Sequence, residues 1–269
     1  MNEQKQNPAS AAVGLFALAI LVLGLYLWLK PDTEPLPDFS LIEDIEQRKA
    51  SFFAYLAPIV LSENQRVLAQ RDRLVMLHEK AESEGALGPL QRRWLKSLAK
   101  EYEVEWPGES FKQSMALLLK RVDVVPVSLA LTQAAKESGW GQSRFAREGN
   151  NLFGHWCYEQ GCGIVPANRP EGASHEVAAF DTVTQSVRRY INNLNTHRSY
   201  SALRDIRATQ RAAGRKPTGL ALAEGLTQYS ERRGAYVRDI KQIMQSNQTL
   251  IEQAVEQSAE PSGTGLNVS

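Results

Sequence analysis

The residues whose types and spacing could do chemistry centre on one carboxylate, that of Glu137. It ends a predicted helix over 128–138, where the helix end carries a partial negative charge, and Trp140 could exclude water beside it. Both effects disfavour the charged carboxylate and raise its pKa. A glutamate that stays protonated near neutral pH can donate a proton to the leaving oxygen of a glycosidic bond. The alternative is a solvated acid near a helix end.

Two motifs in order make the first interpretation stronger. Residues 136–143 read Lys-Glu-Ser-Gly-Trp-Gly-Gln-Ser, and residues 149–154 read Gly-Asn-Asn-Leu-Phe-Gly. Together they resemble the glucosaminidase family that cuts bacterial peptidoglycan, glycoside hydrolase family seventy-three. The resemblance covers roughly residues 106–245. It implies an α+β, mainly α, lysozyme-like helical domain with a small β-lobe beside a sugar groove, with Glu137 as the general acid and no cofactor.

Glycosidases usually pair two carboxylates, and two residues compete for the second position. Glu171 lies in a Pro-Glu-Gly turn, from which a mobile lobe could carry it over the groove, and it is the favoured candidate. Glu176 begins the extended run to Phe180, where strand alternation decides which face it takes. A route assisted by the substrate's own N-acetyl group also stays open.

The family resemblance gives roles to further polar and aromatic residues. Tyr229 is expected to line the active site and to orient substrate or water, with core packing as an equal alternative, while Tyr236 is expected to pack. The segment between these tyrosines departs from the family pattern at nearly every position. The residues expected to bind substrate are Trp140, Asn151, Phe153, Trp156 and Tyr200. Wall packing is an equal alternative for Phe153 and Trp156.

The chain also departs from the common family pattern at a loop with two cysteines. Cys157 and Cys162 are five positions apart in a Gly-containing loop, and outside the cytoplasm a disulfide is the default expectation. Free thiols are the first alternative. A metal held by these cysteines with His155 and His175 is the second, but the spacing matches none of the common zinc patterns, so no metal is expected.

Helical patterning positions these residues. Pro126 suits the first position of the helix that carries Glu137, and Gly139 suits its end. Residues 150–180 predict a small β-lobe, and Thr182 begins a capping box that opens the next helix. The segments with helical patterning are 40–105, with a break near Pro58 and a second break near Gly85–Pro89, then 111–122, 183–194, 201–213, 218–228 and 234–257.

The N-terminal region predicts a membrane anchor. Residues 11–29 carry no charge and, at about 1.5 Å per residue, just span a bilayer core. A cleaved signal peptide is disfavoured because bulky residues follow, and a buried core helix is the third alternative. The predicted order is a cytoplasmic 1–10, the anchor 11–29, a Pro-rich linker 30–39, a helical module 40–105, the glucosaminidase domain 106–257 and a disordered tail 258–269. This layout resembles the Bax-like members of the family.

Composition and topology complete the prediction. The chain has 269 residues and a net charge of +1, so nucleic acid is not an expected partner. Glycan strands lie outside the cytoplasmic membrane, so the resemblance implies a single-pass inner-membrane protein whose domain faces the periplasm. The helical module 40–105 is either a packing extension or a partner-binding arm. The alternative functions are a lytic transglycosylase, a non-catalytic peptidoglycan-binding or assembly factor and, least favoured because no His-Glu-x-x-His motif is present, a zinc amidase.

Overall fold

Helices make up most of the structure. The computed structural model describes residues 35–167, 169 and 172–259. Its helices are α1 Ile45–Glu84, α2 Pro89–Glu101, α3 Phe111–Arg121, α4 Val127–Ser138, α5 Arg144–Gly149, α6 Val183–Thr196, α7 Ser201–Ala212, α8 Gly219–Ala223, α9 Gly234–Ser246 and α10 Gln248–Ala259, with 3₁₀ turns at Phe39–Leu41, Arg198–Tyr200 and Glu224–Leu226. The predicted mainly α, α+β class is confirmed.

Helix α1 runs for 40 residues straight through Pro58, so the predicted break there is wrong. A proline inside a helix leaves the carbonyl four residues earlier without its hydrogen bond. Both Pro58 and Ala54 are exposed, so water can satisfy that carbonyl. Phe53 and Val60 on either side are fully buried. Packing of this apolar face therefore keeps the helix continuous.

Helix α1 forms part of the main body. It packs against α10, α4 and α6, and the described residues between 35 and 259 form one compact unit. Asn64 of α1 donates to the carbonyl of Val125, just before α4, at 2.8 Å. Of the two interpretations of residues 40–105, these contacts support the packing extension.

The β-lobe is a small antiparallel sheet with strand order β1-β3-β2. Its strands are β1 Trp156–Cys157, β2 Gly163–Ile164 and β3 Glu176–Ala178, as predicted for residues 150–180. A Cβ on Gly163 would lie 2.0 Å from the carbonyl oxygen of Val177, so only glycine lets these two strands approach.

The C-terminal helices follow the predicted segments with one difference. The region predicted as one helix over 234–257 is interrupted at Asn247, where α9 ends and α10 begins. The side chain of Asn247 is buried and donates to the carbonyl of Ile243 at 2.8 Å, which stabilises the end of α9.

Both predicted terminal segments fall largely outside the described residues. The predicted anchor 11–29 and nearly all of the predicted tail 258–269 are among the residues that the structure does not describe. Within the described part of the chain, no helix has the length and hydropathy needed to cross a membrane.

Candidate active site

Glu137 lies in the last turn of α4, which ends as the sequence predicts. Gly139 adopts the left-handed conformation with φ 57°, and its N–H caps the carbonyl of Ala135. Glu137 is half-buried, and its Oε1 accepts a 2.7 Å hydrogen bond from the hydroxyl of Tyr236 on α9. The carboxyl group therefore lies at the end of α4 and faces Tyr236, which is 99 positions later in the chain.

The residues that follow Glu137 attach this helix end to the rest of the fold. The Ser138 hydroxyl donates to the carbonyl of Ala134 at 2.6 Å and accepts from the N–H of Gly141 at 2.8 Å. A Cβ on Gly141 would lie 2.7 Å from the ring of Phe39, and its φ is 77°. Glycine is therefore required there both for the turn and for the close contact.

Trp140 takes part in the same attachment. Its ring packs edge-on against Phe52 and Phe53 of α1, with centroid distances of 5.9 and 5.3 Å, and Lys49 lies over it at 5.7 Å. These contacts give Trp140 a packing role, and its role in substrate binding stays a prediction. The ring fixes the position of α4 on α1, and hence that of Glu137.

The pKa of Glu137 is raised above its ordinary value. Burial raises it, whereas the hydrogen bond from Tyr236 and the charge of Lys136 act in the opposite direction. The Lys136 ammonium is 3.1 Å from Asp239, which also pairs with Arg232 at 2.8 Å. Since burial outweighs these effects, the pKa of Glu137 moves in the direction that a proton donor requires.

Four tyrosines from separate segments surround Glu137, and we call them the tyrosine cluster. The Tyr229 ring stacks on that of Tyr236 at 5.2 Å, and the Tyr200 ring lies 5.8 Å from that of Tyr229. Burial raises the pKa values of Tyr190, Tyr200 and Tyr229, and the charge of Glu137 raises each of them further. The cluster consists of Tyr190, Tyr200, Tyr229 and Tyr236.

The prediction that Tyr236 only packs is wrong, since it is this tyrosine that bonds Glu137. Tyr229 lies beside it and donates to the carbonyl of Phe153 at 3.2 Å. A signal for Tyr236 was available in the sequence. It lies on the apolar face of a helix with Val237 and Ile240, and a buried tyrosine hydroxyl usually needs a polar partner. Its partner, however, comes from a distant segment that sequence alone does not identify.

Gln133 is a second residue that sequence analysis missed. It precedes Glu137 by one helical turn on the same face of α4 and is fully buried. Its Nε2 donates to the Tyr236 hydroxyl at 2.9 Å, and its Oε1 accepts from the Tyr190 hydroxyl at 2.7 Å. A glutamine one turn before a proposed acid, within a run of apolar residues, was the available signal.

Asn151 and Phe153 have structural roles in place of the predicted contacts with substrate. Asn151 is 2% exposed; its amide nitrogen donates to the carbonyls of His155 and Ala178, and its oxygen accepts from the N–H groups of Phe153 and His155. The ring of Phe153 is 3% exposed and stacks on Tyr190 at 4.0 Å. Both side chains hold the β-lobe against the helices, and neither has surface left for a sugar.

Trp156 remains open to solvent. It lies on β1, is 54% exposed and stacks one face on the ring of His175 at a centroid distance of 4.4 Å. Tyr200 is 8% exposed within the tyrosine cluster. Of the residues predicted to bind substrate, Trp156 offers the largest accessible surface.

Cys157 and Cys162 form a disulfide in the structure. Bonded sulfurs offer no thiolate, so the metal alternative built on these cysteines, His155 and His175 loses its sulfur ligands. The imidazole of His175 instead stacks on Trp156. Burial lowers the pKa of His155 to about 4, so that ring is neutral near neutral pH.

Of the two candidates for the second acid, the structure describes only Glu176. Glu176 is 5% exposed, and its two oxygens accept from the N–H groups of Gly161 and Gly163 at 3.1 and 2.9 Å. These amides hold the pKa of Glu176 below its ordinary value. Its carboxylate is thus bound to the cysteine loop, a structural use that argues against a role as catalytic base. Glu171 lies outside the described residues.

Comparison with known proteins first gives the class. Residues 112–249 match the model of the glucosaminidase family, described as mannosyl-glycoprotein endo-beta-N-acetylglucosaminidase, so the chain is a glycoside hydrolase. Over 216 residues it is 37% identical to "Protein bax" from Escherichia coli (strain K12), covering 80% of this chain and 76% of that protein. The chain belongs to the glucosaminidase family, as the sequence motifs predicted. No solved structure matches it significantly.

Proposed function

We propose that this chain cleaves peptidoglycan glycan strands after N-acetylglucosamine, as an endo-beta-N-acetylglucosaminidase, with Glu137 as the general acid. The observation that carries the proposal is the environment of the Glu137 carboxyl group. It is half-buried at a helix end, has a raised pKa and is hydrogen-bonded to Tyr236, inside the region that matches the family. That combination suits a group that must hold a proton until a leaving oxygen takes it.

The geometry also favours one carboxyl oxygen as the proton carrier. Oε1 accepts the proton of Tyr236, so the acid proton of Glu137 belongs on Oε2. Transfer of that proton to the glycosidic oxygen accompanies cleavage of the bond between this oxygen and C1. Glu137 becomes a carboxylate as the proton leaves, and the Tyr236 bond to it then strengthens. Tyr236 would therefore stabilise the transition state more than the ground state.

A second group must act at C1, and we propose Glu171. In a hydrolysis by inversion, the Glu171 carboxylate would take a proton from the water that attacks C1. The alternative is that the oxygen of the substrate's N-acetyl group attacks C1 and water opens the resulting ring, returning a proton to the Glu137 carboxylate. We place Trp156, Tyr200 and Tyr229 along the sugar groove, with Trp156 stacking its free face on a sugar ring.

We also propose that residues 11–29 anchor the protein in the inner membrane with residues 40–257 in the periplasm. The support is the uncharged segment together with the location of the proposed substrate. Protease added to spheroplasts should degrade the body while the membrane stays intact. Protection of residues 40–257 until the membrane is lysed would contradict this topology.

Digestion of isolated sacculi tests the catalytic proposal. The full chain and its Glu137→Gln variant would be compared, with product sugars analysed by mass spectrometry. We expect soluble fragments that end in a reducing N-acetylglucosamine, and none from the variant. Fragments that carry an anhydro ring would identify a lytic transglycosylase. Binding to sacculi without release of fragments would identify a binding factor and overturn the proposed activity.

A further inference from the structure

Three buried side chains form a directed series of hydrogen bonds that ends on Glu137, and we call it the Tyr190 relay. Tyr190 of α6 donates to Gln133 Oε1 at 2.7 Å, Gln133 Nε2 donates to Tyr236 at 2.9 Å, and Tyr236 donates to Glu137 Oε1 at 2.7 Å. Tyr190, Gln133 and Tyr236 are exposed by 0, 0 and 2%. No solvent is therefore needed to complete any of these bonds.

The direction of the relay follows from the chemistry of the glutamine amide. Its oxygen can only accept and its nitrogen can only donate. Since Tyr190 supplies a proton to the oxygen, the nitrogen must face Tyr236. The Tyr236 hydroxyl accepts that bond, and its single proton is then free for Glu137. Tyr190 favours this orientation of Gln133, because in the reverse one its fully buried hydroxyl would receive the amide N–H and its own proton would lose its acceptor. In the favoured orientation Gln133 makes Tyr236 a donor.

The reverse orientation of the Gln133 amide would move the proton of Glu137 from Oε2 to Oε1. If Gln133 Oε1 faced Tyr236, the hydroxyl proton would go to Gln133. Glu137 Oε1 would then face the lone pairs of that hydroxyl and would satisfy them by placing its own proton on Oε1. That proton would point into the protein, where no glycosidic oxygen can reach it.

We propose that Tyr190 and Gln133 are positioning residues that hold the catalytic proton of Glu137 on Oε2, the oxygen not bound by Tyr236. This inference rests on the proposed function. It assigns a catalytic consequence to a tyrosine that is fully buried and cannot touch the glycan. The relay also connects the β-lobe to the acid, because the ring of Phe153 stacks on Tyr190 at 4.0 Å.

The surroundings of Glu137 keep the relay intact across the working pH range. Burial first, and nearby groups second, hold the pKa values of the relay tyrosines above their ordinary value, so these tyrosines stay protonated and can donate. The other titratable or charged groups that face Glu137 or the relay are Tyr200, Tyr229, and Lys136 with its partner Asp239. None of these is altered by the variants below.

The test is the kinetics of Tyr190→Phe against a matched control elsewhere in the fold. Tyr102 is 1% exposed and donates to Gln70 Oε1 at 2.7 Å, and Gln70 Nε2 donates to Glu101 at 2.9 Å. Tyr102→Phe therefore removes the same kind of bond, from a buried tyrosine hydroxyl to a glutamine oxygen, away from Glu137.

We expect kcat on a soluble glycan fragment to fall about 3- to 10-fold in Tyr190→Phe, the loss of one buried hydrogen bond. KM should not change, because Tyr190 does not contact the glycan. Without Tyr190, Gln133 can reverse and accept the Tyr236 proton, so Glu137 loses the Tyr236 bond that stabilises its carboxylate. The alkaline limb of the pH profile should therefore move to higher pH. Tyr102→Phe should leave kcat, KM and the pH profile unchanged.

The combination with Tyr236→Phe separates positioning from a merely structural effect. If Tyr190 acts through Tyr236, then Tyr190→Phe should have no further effect on the pH profile of Tyr236→Phe. Additive shifts, or a Tyr190→Phe profile equal to that of the wild type, would overturn the relay. If Tyr190→Phe fails to fold, Tyr190→Met replaces it, because it also removes the hydroxyl while its flexible side chain fills much of the space, with the same expectations and the same two contradicting results. Loss of the relay leaves the proposed function standing as long as the wild type cleaves glycan and Glu137→Gln does not.

Discussion

Glu137 and Glu176 are two carboxylates of one domain whose pKa values move in opposite directions. Glu137, at the end of α4, is the more exposed of the two, yet its pKa is raised. Glu176, on β3, is nearly inaccessible, yet its pKa is lowered by the N–H groups of Gly161 and Gly163. Burial therefore dominates the pKa shift of Glu137, whereas hydrogen bonds from backbone amides dominate that of Glu176. One hydroxyl leaves Glu137 a potential proton donor, and two backbone amides make Glu176 a structural anion.

The largest effect should follow from removing the acidity of Glu137. Glu137→Gln keeps the bond from Tyr236 but cannot donate a proton to the leaving oxygen. We expect kcat/KM on solubilised peptidoglycan to fall about 10²- to 10⁴-fold, as for other general acids. Thermal unfolding should be essentially unchanged, which serves as the folding control. A variant with more than a tenth of wild-type activity would remove Glu137 from the proposed role.

Tyr236→Phe should have the next largest effect, because it removes the donor to Glu137. We expect kcat to fall about 10-fold, since a hydrogen bond to a developing carboxylate is lost. The remaining acid should have a still higher pKa, so activity should persist to higher pH than in the wild type. A pH profile in purified enzyme checks both expectations. A shift of the alkaline limb to lower pH would contradict this arrangement.

Removing the disulfide should weaken the β-lobe far more than the site on the helices. For a ring this short, we expect Cys157→Ala with Cys162→Ala to cost about 2 kcal/mol of local stability. Hydrogen exchange at the amides of β1 and β2 should accelerate, while exchange in α4 should not. Equal acceleration in both regions would show that the lobe and the acid site unfold together.

The smallest effect on catalysis is expected for Glu176→Gln, the matched substitution to that of Glu137. Activity should stay within about threefold of the wild type, because the carboxylate binds loop amides and not substrate. A loss as large as that of Glu137→Gln would make Glu176 the second catalytic acid.

Glu176 also predicts a pH dependence of lobe stability. Its pKa is lowered in the folded state, so it stabilises the lobe above the ordinary carboxyl pKa, and this contribution disappears as the pH falls through the folded value. Exchange at the Gly161 and Gly163 amides should therefore accelerate on acidification in the wild type. In Glu176→Gln, exchange should already be fast at neutral pH. Identical pH dependence in the two proteins would contradict this role.

The sequence predicts the features that depend on local chemistry. The helix end at Gly139, the capping residue Thr182 and the strand at 176–178 depend on neighbouring residues, and all three are confirmed. The direction of the Glu137 pKa shift is also as predicted. Exclusion of water, one of its two predicted causes, is the largest cause in the structure.

What the sequence does not predict depends on contacts between distant segments. The Tyr236 bond joins residues 99 positions apart, and Gln133 contacts Tyr236 over 103 positions. The continuity of α1 through Pro58 likewise depends on the helices packed against it. Spacing along one strand or helix cannot reveal such partners, so Tyr236 was wrongly predicted only to pack.

The titration of the Glu137 side chain tests the central claim most directly. Carbon-13 NMR of protein labelled at the glutamate carboxyl carbons, assigned with Glu137→Gln and Glu176→Gln, gives both titrations in one sample. We predict that Glu137 titrates above the ordinary glutamate value, Glu176 below it, and that the alkaline limb of the activity profile follows Glu137. A Glu137 carboxyl that titrates at or below the value for Glu176 would contradict its role as the proton donor.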